Sequence, residues 1–311
     1  MAAIIDVDSF EKKRCGESRE ADDQRCIRFW HSRLDAKLNE HLRGDQDSCQ
    51  TLVEAMRYSL LAPGKRVRPL LAVLTAIDFG CDPEPLLDFG CALEFVHCAS
   101  LMLDDLPCMD DARMRRGQLA AHIRFGEATT TLAAIGLLNQ AYGMIAASKA
   151  LPESIRCRLV AQLSAAVGTA GLVSGQSRDL VERERGIDSA GLRRINRQKT
   201  GVLFELAVVG GGTIADLSAE RLDTLNRFAG HVGQAFQIAD DLGDCRRHCK
   251  STGKDCGLDI DKAGSVHQLG EAVLRERLIA ELEAADAQLE ALGVENSLLK
   301  SFVLLLFQRL V

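Results

Sequence analysis

Apolar residues recur three and four positions apart along almost the whole chain, the spacing that lines one face of an α-helix. The pattern predicts helices over 27–42, 49–61, 69–79, 85–104, 127–149, 153–174, 189–209, 217–241 and 270–292. Strand-like alternation is scarce, and β-branched residues do not gather into short runs bounded by turns. Turn chemistry places breaks at Pro63-Gly64, Asp82-Pro83-Glu84-Pro85, Arg116-Gly117, Leu151-Pro152, Gly210-Gly211-Gly212 and Ser251-Thr252-Gly253. None of these is long enough for a domain linker, and no repeat of solenoid period is found. The expectation is an all-α protein: a loose N-terminal tail over 1–24, then a single large helical domain over 25–311 with long helices around a central cavity.

Composition fits that picture and narrows the partners. The 311 residues are 47% apolar and only 5% aromatic, which suits a large aliphatic core. A net charge of −6 offers no general attraction to nucleic acid or to an anionic membrane, so an anionic ligand would have to be held by local clusters and metal. The longest weakly polar segment, 129–147, is broken by Asn139 and Gln140, and 302–307 is short, so no membrane span is expected. Asp6, Asp8 and Glu11 replace the basic-then-apolar order of a signal peptide, and a cytoplasmic protein is expected. Eleven Cys scattered along a long chain read as reduced thiols. Cys245, His248, Cys249 and Cys256 do cluster, but their spacing fits no common zinc pattern and Arg246, Arg247 and Lys250 crowd them, so surface thiols are favoured over zinc.

Two acidic clusters change the picture most. Asp104-Asp105-Leu106-Pro107-Cys108-Met109-Asp110-Asp111 and Asp240-Asp241-Leu242-Gly243-Asp244 each continue an apolar run, 95–103 and 232–239, where an unpaired charge is costly to bury. Asp240 and Asp244 are four apart and share a helix face. Pro107 bends the first cluster, so that Asp110 or Asp111 returns toward the cation held by Asp104 and Asp105. Two facing carboxylate walls that clamp Mg²⁺ ions and a diphosphate are the implied chemistry, since Mg²⁺ takes one or two carboxylates and fills its octahedron with phosphate and water.

Basic residues are interleaved with these acids: Lys65, Arg66 and Arg68 in Gly64-Lys65-Arg66-Val67-Arg68-Pro69, then Arg113, Arg115 and Arg116, then Lys199 and Lys254. Arg binds phosphate with a two-pronged geometry and Lys as a point charge. The arrangement suits one metal-held diphosphate and a second held by Lys and Arg alone.

Gly64-Lys65-Arg66-x-Arg68-Pro69, Asp104-Asp105-x4-Asp110 with Arg115-Arg116-Gly117 after it, Gln176-x2-Asp179, Lys199-Thr200-Gly201-x-Leu203-Phe204, Phe236-Gln237-Ile238-x-Asp240-Asp241-x2-Asp244 and Gly253-Lys254-Asp255 follow one another in order. With these motifs the chain resembles the trans-isoprenyl diphosphate synthases, over about 50–275, and is most similar to the bacterial geranylgeranyl diphosphate synthases. The resemblance implies the isoprenoid synthase fold, a homodimer, and about three Mg²⁺ per active site. It implies metal binding by Asp104, Asp105, Asp110, Asp240, Asp241 and Asp244, with Asp111 as a further ligand. By the same match Lys65, Arg68, His97 and Arg116 hold isopentenyl diphosphate, while Arg115, Lys199, Gln237 and Lys254 hold the allylic diphosphate. Arg66, Thr200 and Lys262 are weaker candidates. His97 lies two helical turns before Asp104 on the same face, which favours a ligand over a core histidine.

The implied reaction is head-to-tail condensation: the allylic C1–O bond ionises, isopentenyl diphosphate attacks the cation, and released diphosphate accepts the proton. Lys199, Thr200 and Gln237 would steady the cation, in a cavity kept free of water. Ala99 and Ser100, one turn below Asp104, are small where relatives making C15 products commonly carry an aromatic, so a C20 product is expected over C15. Met102, Leu103, Leu172, Val173 and Phe204 are candidates for the deeper floor. Ile135, and Leu119-Ala120, depart from the common Asp and Pro-Thr of the family. Two rivals remain, a class I terpene cyclase and a silent partner subunit. The second Asp-rich cluster and the Lys65/Arg68 site argue against the first, and the intact Asp clusters against the second.

Overall fold

The helix Leu86–Asp104 is buried on almost every side, because its sequence is apolar all round apart from Asp88, Glu94, His97, Ser100 and the terminal Asp104. Around it the structure, a computed structural model, describes residues 17–42, 47–182, 189–247, 270–294 and 296–308. The helices are α1 (Glu17–His41), α2 (Gln50–Leu60), α3 (Val67–Asp78), α4 (Leu86–Asp104), α5 (Ala121–Phe125), α6 (Glu127–Ala147), α7 (Glu153–Val167), α8 (Leu172–Glu182), α9 (Ser189–Asn196), α10 (Val202–Ile214), α11 (Ala219–Arg247), α12 (Glu271–Ala291) and α13 (Leu298–Phe307). A π-helical turn, Arg197–Gly201, joins α9 to α10. The sheet among the described residues is one two-stranded hairpin, β1 (Met114–Arg115) with β2 (Gln118–Leu119).

The all-α expectation holds. Helix α4 packs on α3 and α6, α10 packs on α3 and α11, and α11 packs on α12. The predicted break at Ser251-Thr252-Gly253 lies outside the described residues and most of the others are loops, while four expectations are corrected. The N-terminal tail expected over 1–24 is helical from Glu17: Asp23 accepts a hydrogen bond from Ser301 and Asn296 one from Arg19, so a polar helix end is held by the C-terminal segment. The helix expected over 153–174 stops at Val167, and Gly168 and Gly171 bridge to α8. The helix expected over 189–209 is interrupted by the π turn. Finally, Gly210-Gly211-Gly212 is not a break, since α10 runs through it to Ile214. The glycines are there for space: a Cβ on Gly210 would come within 2.2 Å of the Phe89 ring, and one on Gly211 within 2.6 Å of the Ala72 carbonyl oxygen.

Helix α13 lies in the apolar C-terminal stretch, where no helix was expected. Phe302, Val303 and Phe307 are buried, and α13 packs on α1 and α3. Asp78, at the end of α3, accepts from the Leu298 and Leu299 backbone N–H groups at 2.7 and 3.1 Å, capping α13. Contrary to the sequence reading, two segments are long and apolar enough to cross a membrane, Leu86–Asp104 and Glu153–Val181. The first is 72% buried inside the protein, as the central core helix, and the second is broken at 168–171.

Candidate active site

Three helix ends meet here: the C-terminus of α4, the π turn before α10, and the last turns of α11. Asp104 and Asp105 end α4, where apolar burial of the helix leaves both carboxylates poorly solvated. Burial, helped by Asp110 and Asp105, pushes the Asp104 carboxyl up to about 6, against the pull of Lys199 and Arg115. Asp105 is 3% exposed, and burial raises its pKa as well, opposed by Arg115, whose Nε donates to both carboxylate oxygens at 2.9 and 3.2 Å. The bend at Pro107 does return the chain, for Asp110 N–H donates to the Asp104 carbonyl at 2.9 Å. Asp111 is exposed, with φ +48°.

The opposite wall is joined to the first through the π turn. Lys199 Nζ donates to Asp179 Oδ2 at 2.7 Å and lies 4.0 Å from Asp104 Oδ2. Its neighbour Thr200 donates to Gln237 Oε1 at 3.5 Å, and Gln237 Nε2 donates to Asp241 Oδ1 at 3.2 Å. A π turn widens the helix by a residue per turn. Here close packing accompanies it, because Gly175 of α8 and Gly233 of α11 both approach its backbone. Asp240 is exposed on the same end of α11, near enough to Arg68 for its charge to oppose, after Glu94, the burial that lowers the latter's pKa.

Several basic residues gather around Glu94 and His97. Arg68 is 7% exposed, its Nε has no hydrogen-bond partner and its guanidinium carbon stands 4.9 Å from the centre of the Phe204 ring. Burial brings its pKa down to about 10. His97 is half-buried beside Arg68, Arg116, Arg115 and Arg66, and burial together with those cations drives its pKa well below the ordinary imidazole value, leaving a neutral ring. Arg116 and Gly117, at φ +52° and +80°, make the tight turn of the hairpin, so β1–β2 carries Arg115 toward one site and Arg116 toward the other. Lys65 is exposed. Arg66 is held internally, by Asp35 at 2.8 Å and Glu94 at 2.9 Å.

Sequence reasoning missed Glu94, Asp35 and the pairing of Asp179 with Lys199. A single Glu in the apolar run 89–96 was the available signal for the first. Ala99 is fully buried and Ser100 half-buried, its hydroxyl donating to the His97 carbonyl at 2.9 Å. Met102 and Phe204 are buried, whereas Val173 is 53% exposed and lines no interior floor. The side chains of Asp244 and Cys245, and the whole of His248, Cys249, Lys254, Cys256 and Lys262, lie outside the described residues. Among the described residues no three His, Cys, Asp or Glu side chains already form a closed metal cluster.

Such a site defines a class: an all-α protein with two carboxylate clusters joined through a π turn and buried guanidinium groups beside them. Residues 49–266 match the family described as Polyprenyl synthetase, and the chain belongs to that family, the prenyl diphosphate synthases. It is 42% identical over 262 residues to a geranylgeranyl diphosphate synthase of Pantoea ananas, covering 83% of this chain and 85% of the relative. It is 38% identical over 252 residues to a farnesyl diphosphate synthase of Geobacillus stearothermophilus, covering 80% and 85%. A geranyltransferase from Helicobacter pylori, solved in complex with magnesium and isoprenyl diphosphate, superposes with a TM-score of 0.81 at 26% identity, over 93% of this chain and 97% of that one. The fold is the all-α isoprenoid synthase fold of these structural neighbours.

Proposed function

We propose that the chain condenses isopentenyl diphosphate with an allylic diphosphate, head to tail and with Mg²⁺, to geranylgeranyl diphosphate. The observation that carries this reading is the run from Asp104 through Lys199 and Thr200 to Gln237 and Asp241, which ties both carboxylate walls to one cation-steadying turn. The donor set fits Mg²⁺: it is all oxygen, and its buried first wall already has Arg115 and Lys199 beside it as counter-charge. Asp104, Asp105, Asp110, Asp240 and Asp241 would hold the metal, with Asp111 and Asp244 as further ligands. Bound Mg²⁺ would supply Lewis-acid neutralisation of the leaving diphosphate.

The chain's own residues supply the rest. Arg115 and Lys199 neutralise the allylic diphosphate as its C1–O bond breaks, with Lys254 in the same role from the family match. The Thr200 hydroxyl and Gln237 amide turn their dipoles to the allylic cation. Arg68, Arg116, Lys65 and neutral His97 hold isopentenyl diphosphate. Phe204 and Phe236, with ring centres 5.2 Å apart, keep water from the reacting carbons.

The small residues Ala99 and Ser100 below Asp104, and the higher identity to the Pantoea synthase, support C20 over C15. A homodimer is supported by the apolar face of α6, where Leu132 and Ile135 are 58% and 54% exposed. The test is incubation of the purified chain with Mg²⁺, isopentenyl diphosphate and each of the C5, C10 and C15 allylic diphosphates, with products identified by mass. A C20 alcohol after dephosphorylation is expected. A C15 product refutes the chain-length assignment, and no condensation refutes the synthase.

A further inference from the structure

Glu94 is 2% exposed in the middle of α4, and its Oε1 accepts from Arg66 Nη1 at 2.9 Å while Arg116 Nη2 stands 3.6 Å from the same oxygen. Arg66 comes from the loop before α3 and Arg116 from the hairpin turn. One buried carboxylate therefore joins the two basic motifs. The two arginines are held differently. Arg66 makes further bonds to Asp35 Oδ1 at 2.8 Å and the Ala62 carbonyl at 3.1 Å, and sits at φ +47°, a conformation that needs such over-determination in a residue other than glycine. Arg116, 20% exposed, stands beyond hydrogen-bond distance of Glu94 and is tethered to it by charge. Both guanidinium groups crowd Gly64, where a Cβ would meet Arg66 Nη1 at 3.1 Å and Arg116 Nη1 at 3.3 Å.

Arg66, Arg68 and Arg116 gathered in one place repel one another in the absence of an anion. A buried carboxylate is costly unless well paired, and here the pairing comes from the two arginines that Glu94 brings together. We propose that Glu94 is a positioning residue that presets the metal-free diphosphate subsite, holding Arg66 and Arg116 together and supplying their counter-charge until substrate diphosphate arrives. The proposal rests on the reading of this pocket as the isopentenyl diphosphate site. Glu94 touches no substrate in it. The rival expectation has the opposite sign: removing a negative charge from beneath an anion site strengthens anion binding by Coulomb attraction alone.

The test uses Glu94→Gln, and Glu94→Gln with Arg66→Gln, the second removing the buried guanidinium that the first leaves without its carboxylate and carrying the test if the first does not fold. KM is measured for each substrate with the other saturating, and binding of inorganic diphosphate is measured by calorimetry in chelator. In both variants the KM for isopentenyl diphosphate should rise about tenfold or more, and metal-free diphosphate should bind correspondingly more weakly. The KM for the allylic substrate should stay within about twofold, a split that a loss of folding stability does not produce. An unchanged or lowered KM for isopentenyl diphosphate, or an equal rise for both substrates, overturns the role of Glu94. Wild-type protein that condenses nothing would instead overturn the synthase reading, and this proposal with it.

Discussion

Lys199 donates to Asp179 at 2.7 Å across two elements, α8 and the π turn, while Asp104 waits 4.0 Å from the same ammonium. Asp179 thus keeps Lys199 from closing on Asp104, the carboxylate proposed to hold Mg²⁺. With Asp179→Asn the ammonium should settle on Asp104 and compete with Mg²⁺ for it. An ion pair strengthened by about 1 kcal/mol corresponds to an increase of about fivefold in the Mg²⁺ concentration at half-maximal rate. A titration of rate against Mg²⁺ checks this, and an unshifted midpoint would leave Asp179 without that role.

Asp104→Ala and Asp241→Ala each remove a carboxylate from one wall. Metal-supplied stabilisation of about 4 kcal/mol, at 1.36 kcal/mol per tenfold, gives a loss of about three orders of magnitude in kcat for either variant. Near-normal turnover in both would sink the metal assignment. A large loss in one alone would mean that a single wall holds the catalytic metal.

Much of this was legible from residue spacing. The acidic clusters, the basic turns and the helices that carry them are local patterns, and α4 and α6 lie within two residues of their predicted limits. What was not legible depends on contacts between distant segments. Glu94 reads as one acid in an apolar helix until Arg66 and Arg116 are brought to it, 28 and 22 residues away in the chain. Gly175 and Gly233, 58 residues apart, flank the π turn, and neither position announces that packing. Nor did local rules foresee Gly210-Gly211-Gly212 as helix, because the reason for three glycines is Phe89, Ala72 and Leu225 on other elements.

Those glycines give a prediction whose sign separates packing from propensity. Helix propensity alone makes Gly→Ala stabilising by about 1 kcal/mol in a helix interior. Gly230→Ala in α11, where a Cβ would meet only Glu205 Oε1 at 3.9 Å, should show that gain. Gly210→Ala and Gly211→Ala should instead destabilise by about 2 kcal/mol, because the Phe89 ring and the Ala72 backbone must move. Chemical denaturation of the three variants decides it, and stabilisation at Gly210 would show that α3 and α4 are looser around α10 than the contacts imply.

Product length tests the floor of the cavity, and the structure distinguishes two positions that the sequence treated alike. Ser100 is half-buried and four residues before Asp104, on the same helix face, so in the proposed reading a larger side chain there would shorten the space open to the allylic chain. Ala99 is fully buried in the core, and an aromatic ring in its place must displace packed neighbours at a cost of about 1–3 kcal/mol. Ser100→Phe should therefore shift the main product from C20 toward C15 with little change in melting temperature, whereas Ala99→Phe should lower the melting temperature whether or not the product shortens. Mass analysis of the products, paired with thermal melts, checks both. If Ser100→Phe still makes only C20 product, the chain runs along another face of α4, and the limit must be sought at Met102 of that helix or at Phe204 of α10, both buried.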